Sequence, residues 1–135
     1  MISLHFYLRI VRASAWYDLV VTIGFATPWT FMAIHQSLVA LSMGMAIPGA
    51  LPPFEPAHML MANLLGTVVT LWAVLRLRHT QRAHGHYDAA ARFAFAALQL
   101  YAVAHGASML IVGFTVFELL FGAAQLLPVR QSDGY

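Results

Sequence analysis

Asp18, Asn63, Arg92, Gln99 and Glu118 are polar or ionisable residues set inside otherwise apolar runs, and they are where this chain can do chemistry. Glu118 lies about ten residues from either end of the run 107–127. A carboxyl group at that depth in a membrane must be protonated or matched by a partner. Asn63, Thr67, Gln99 and the backbone loosened by Pro28 are candidate partners at similar depth. An intramembrane acid is by default a functional-site hypothesis; the plainer reading is a neutral, hydrogen-bonded structural glutamate.

Asp18 and Arg92 each lie a few residues into a run from the same side, so their depths match if the two runs are neighbours. A charge-assisted bond between them would neutralise both and pin helix register. As a pair they serve as a structural staple before anything else. Arg92 and Gln99 are seven residues apart and share a helix face, as do Thr115, Glu118, Gly122 and Gln125.

A second group, His35, Glu55, His58 and His105, falls near the opposite boundary of the runs. Three imidazoles and a carboxylate can bind a transition metal, and two facing imidazoles can ligate haem. Histidine is also common at interfaces, and no pair here has a compact ligand spacing. The stretch His79–His86, rich in His and Arg, reads as a solvated loop against anionic headgroups, with Asp88 as a helix N-cap. No phosphate-cradling loop, nucleophile elbow or helical His-Glu zinc motif is present. No catalytic residue or cofactor is assigned.

The elements that must carry these groups are long and greasy. Hydrophobic residues make up 61% of the 135 residues and charged residues 9%, and the mean hydropathy is +0.73. A soluble domain typically carries about 25% charged residues. So few charges leave apolar surface that must face lipid. The sequence therefore predicts an all-α membrane protein, one integral domain over 1–135. It is a four-transmembrane-helix bundle with spans near 15–35, 57–75, 87–104 and 107–127. Each is close to the roughly 20 residues that cross a bilayer.

Between the first two spans, Leu38–Ile47 is apolar but too short to cross, and Pro48, Pro52, Pro53 and Pro56 forbid a continuous helix. That segment is interfacial, re-entrant or an outward extension of the first span. Pro28 should bend that span. The first dozen residues read as an amphipathic lead-in along the interface and make no convincing secretory signal.

All seven basic residues are arginine. Arg9 and Arg12 precede the first span, Arg76, Arg78 and Arg82 flank the second connection, Arg92 begins the third span and Arg130 follows the fourth. The other two connections have none. The positive-inside rule then places both ends in the cytoplasm, in a bacterial inner membrane. The arginines flank apolar runs, which argues for anionic lipid headgroups as partners and against nucleic acid. With no cysteine, thiol chemistry and disulfides are excluded.

Two functions fit almost equally. A polar-lined bundle can bind or move a small lipophilic or cationic ligand through Asp18, Asn63, Arg92, Gln99 and Glu118, as an oligomer if the path needs one. Alternatively the chain is a non-catalytic accessory or assembly subunit of a larger membrane complex, docking through the small residues of its last two spans. A membrane-embedded enzyme or a haem or quinone redox protein comes third.

Overall fold

The computed structural model describes residues 1–130. These form α1 (Leu4–Thr22), a 3-10 turn (Ile23–Ala26), α2 (Pro28–Gly44), α3 (Pro56–Arg78), α4 (Arg82–Ala104) and α5 (Leu110–Gln125). The chain is thus all-helical, with five α-helices and no β-strand among the described residues, only two isolated bridges.

The first helix starts eleven residues before the expected boundary and is not a surface lead-in, because Tyr7 and Val11 are fully buried. It stops early too. Thr22 Oγ1 bonds back to the Asp18 carbonyl at 2.6 Å, a contact that loosens the last turn. Thr27, held extended before Pro28, then caps α2 by accepting from the Thr30 amide. The bend at Pro28 amounts to 108° between Leu4–Ala26 and Pro28–Gly44. The expected span 15–35 is therefore two elements, and α2 runs nearly crosswise to α1. Leu38–Gly44, expected to be interfacial, re-entrant or an extension of the first span, continues α2 without a break from Pro28.

Asn63 and Gly66 on α3 hold this break in place. Asn63 Nδ2 donates to the Phe25 carbonyl at 2.8 Å, supplying a donor to backbone that the bend has freed. Gly66 lets that backbone approach: a Cβ there would lie 2.6 Å from the Phe25 carbonyl carbon. Past α2, Met109 donates its amide to the Pro48 carbonyl, Ala50 donates to the Gly106 carbonyl, and Ser108 donates to the Ala50 carbonyl. Gly49, at φ 96°, permits this, since a Cβ would fall 2.4 Å from the Ala107 carbonyl oxygen. At the opposite end of the bundle, Ile2 pairs with Val129, its amide 2.9 Å from the Pro128 oxygen.

In the packing, α4 lies along α5 and α1 along α3, and α1 also touches both α4 and α5. What this arrangement buries is unusual. Arg76, Arg92, Asp88, Ser14 and Gln125 are all at most 3% exposed. Outside lie Val20, Trp29, Leu64, Leu65, Val68, Leu71, Leu98 and Leu120. Asp18, Arg76, Asp88, Arg92 and Glu118 are inside, and much of the hydrocarbon is outside. The helix Pro56–Arg78 is long and apolar enough to cross a membrane, as is the bent pair Leu4–Gly44 if counted together.

Candidate functional site: a buried ion cluster

The helices α1, α3, α4 and α5 each send in a pair of polar or aromatic side chains at four- or seven-residue spacing, which puts both on one face. They are Ser14 and Asp18 on α1, Trp72 and Arg76 on α3, Asp88 and Arg92 on α4, Glu118 and Gln125 on α5. The short connection between α3 and α4 brings the last turns of α3 and the first turns of α4 together, so that Arg76 meets Asp88.

Two guanidiniums and three carboxylates form the centre. Arg92 reaches all three acids: Nε donates to Asp88 at 3.0 Å, Nη2 to Asp18 at 2.8 Å and Nη1 to Glu118 Oε2 at 2.7 Å. Arg76 pairs with Asp88 at 2.6 Å and with Asp18 through Nη2. Asp88 also accepts from Trp72 Nε1 at 3.1 Å, Gln125 Nε2 at 2.7 Å and Ser14 Oγ at 3.0 Å. Ser14 in turn accepts from Arg76 and Gln125. Aromatic faces close the sides, with Trp72 5.4 Å from the Arg76 guanidinium and Phe121 5.1 Å from that of Arg92.

The carboxylates differ sharply in support. Asp88 is saturated with donors, Asp18 is shared between both arginines, and Glu118 is held by Arg92 alone. Glu118 and Asp18 are also the members nearest the bundle surface, with side chains 12% and 11% exposed. Tyr17 packs beside Glu118, its ring 5.1 Å from Phe117 and 5.5 Å from Phe121.

Of the five residues expected to bind ligand, Asp18, Arg92 and Glu118 meet here and the other two do not. Asn63 is spent on the Phe25 carbonyl. Gln99 accepts from Thr115 Oγ1 at 2.8 Å and clasps α4 to α5 away from the cluster. The partner of Glu118 is thus Arg92 and none of the polar groups expected at its depth. Asp88 is no helix cap: α4 begins at Arg82, so Asp88 sits in its second turn and faces inward. His84, Gly85 and His86 likewise belong to α4 and not to a loop. Arg76, Asp88, Ser14 and Trp72 were missed because each lies near a boundary where a charge or an indole ordinarily faces headgroups. Their four-residue spacing was the available signal.

The outer group is not gathered into a metal site. The Phe54 ring stands 5.0 Å from the His35 ring and 6.4 Å from that of His58, edge-on to both. His105 stacks on Tyr101 at 4.1 Å, with Nδ1 2.8 Å from the Tyr101 carbonyl oxygen. Among the described residues no three His, Asp or Glu side chains converge as metal ligands. No family model, curated protein or solved structure matches the chain.

Proposed function

We propose that the chain is a four-span bundle of the bacterial inner membrane, both ends cytoplasmic, that binds or moves a small lipophilic or cationic ligand at Asp18, Arg92 and Glu118. One observation carries the ligand reading: three carboxylates are buried against two guanidiniums, and the least supported of them, Glu118, lies at the edge of the cluster. A buried surplus of negative charge is costly in low dielectric. A cationic ligand reaching Glu118 would offset it.

The membrane reading rests on the inverted distribution of side chains. The helix α4 is too polar in composition to count as a span, yet its Asp88 and Arg92 are turned into the cluster and Phe95, Leu98, Leu100 and Tyr101 outward. At ~1.5 Å per residue, α3 and α4 each run about 34 Å, and Leu4–Ala26 is comparable. The 16 residues of α5 reach about 24 Å, a mismatch that local bilayer thinning accommodates. Arg9, Arg12, Arg78, Arg82 and Arg130 then gather at the end where Ile2 meets Val129, and the α2 end carries no arginine. In this frame α2 lies along the outer interface.

The test is equilibrium dialysis of the detergent-purified full chain against tetraphenylphosphonium, a lipophilic cation. Saturable binding that falls at least tenfold in Glu118→Gln is the expected result. Absence of binding by the folded wild type, or unchanged binding by the folded variant, removes the ligand reading. A second reading, an accessory subunit, is favoured by the outer half of α3, where Leu60, Met61, Leu64 and Leu65 stay exposed. A stoichiometric larger partner retained in mild detergent would favour it.

A further inference from the structure

The cluster is one positive charge short, and the shortfall can be assigned to an atom. Arg76 and Arg92 carry two charges; Asp18, Asp88 and Glu118, fully ionised, would carry three. A lone negative charge at a buried position is relieved most simply by a proton, which goes to the carboxylate with fewest donors. Asp88 is ion-paired with Arg76 and accepts from Arg92, Ser14, Gln125 and Trp72, and Asp18 accepts from both arginines. Glu118 Oε2 accepts from Arg92 Nη1, and among the described residues no hydrogen bond reaches Oε1.

The groups facing Glu118 are few. From α4 come Arg92 and, behind it, Asp88; from α1 come Asp18 and Tyr17; from α3 comes Arg76, beyond Asp18. On its own helix the neighbours are Phe117 and Phe121. Among the described residues no third cation balances the surplus. Within the same cluster Gln125, fully buried, donates from Nε2 to Ser14 and Asp88 while its Oε1 has no donor. Among the described residues Arg76 Nε in turn has no acceptor, so unmatched donor and acceptor balance and the shortfall is one of charge.

We propose that Glu118 carries a proton at neutral pH and that a monovalent cation binding at Oε1 displaces it. The exchange is balanced: the carboxylic acid loses its O–H proton to water, the carboxylate gains the cation, and the net charge of the cluster does not change. The first half stands on the charge count alone; the displacement rests on the ligand reading above.

Infrared spectroscopy of the full chain in detergent tests the first half. A protonated-carboxyl band should be present at neutral pH, move to lower frequency when glutamate is 13C-labelled at its carboxyl, and vanish in Glu118→Gln. Glu55→Gln, which removes the other glutamate at an exposed position, should leave the labelled band in place. Absence of the band, or its failure to move with labelled glutamate, overturns the proposal, and the labelling arm needs no variant to fold. In weakly buffered solution, binding of tetraphenylphosphonium should release about one proton per cation bound. Binding without release overturns the exchange. Failure to bind removes the ligand reading and with it the displacement, while the infrared band still decides where the proton is.

Discussion

Glu118 joins the rest of the molecule's charges through one group, Arg92 Nη1 at 2.7 Å, whereas Arg92 touches every buried acid. The two sides of that bond are therefore unequal. Removing the arginine orphans Glu118 and leaves Asp18 and Asp88 to share Arg76; neutralising the glutamate leaves Arg92 still paired with Asp18 and Asp88. Arg92→Met should lose about 3–5 kcal/mol of stability, the usual cost of breaking a buried pair from one side. Glu118→Gln should lose about 1 kcal/mol or less, because its amide oxygen still accepts from Arg92. Thermal unfolding followed by helical circular dichroism in one detergent ranks them. Equal losses would show that the arginine is not the hub.

Ser14 makes a sharper test of the network because its substitution changes no charge. Its hydroxyl accepts from Arg76 Nη1 at 2.9 Å and Gln125 Nε2 at 2.7 Å and donates to Asp88. Ser14→Ala leaves two buried donors short of an acceptor, for an expected loss of about 1–3 kcal/mol. Ser37 is the control: it is exposed and bonds only to the Ala33 carbonyl. Ser37→Ala should move the unfolding midpoint little. A Ser14→Ala variant as stable as Ser37→Ala would mean that the hydroxyl is not a node of the cluster.

Composition and spacing disclosed the helical class and part of the cluster, and stopped for identifiable reasons. The α5 stripe Thr115, Glu118, Gly122, Gln125 is the set of residues that helix buries, since one strongly apolar helix has only one polar face to turn inward. Asp18 with Arg92 followed from matched depth. Arg76 was hidden because an arginine two residues from a helix end reads as a headgroup contact, and only the short α3–α4 connection brings Asp88 to it. The 108° break after α1 was hidden in extent because Pro28 and Thr27 mark a bend without setting its size. That size depends on Asn63 and Gly66, nearly forty residues away in sequence.

Gly66 should accordingly tolerate no side chain. A Cβ would meet backbone of Phe25 and Ala26 within 2.8 Å, and backbone cannot swing aside as a flexible side chain can. Gly66→Ala should cost about 1–3 kcal/mol through overpacking. Gly113 on α5 has nothing within 4 Å of its would-be Cβ. There alanine should be neutral or stabilise by up to about 1 kcal/mol, as expected for a helix interior. Paired unfolding curves decide it. A Gly66→Ala protein no less stable than Gly113→Ala would contradict the close approach of α3 to the turn after α1.

The absence of cysteine gives direct access to topology, because each introduced thiol is unique. Gln81 lies exposed in the α3–α4 turn, at the arginine-bearing end, and Pro53 lies exposed in the α2–α3 connection at the other. With the proposed orientation, a membrane-impermeant maleimide added to intact spheroplasts should label Pro53→Cys and spare Gln81→Cys. Inverted vesicles should give the reverse. Two single-cysteine proteins labelled from the same side would mean that α3 does not cross the bilayer. Then the exposed Leu64, Leu65, Val68 and Leu71 would need a protein partner instead of lipid to cover them.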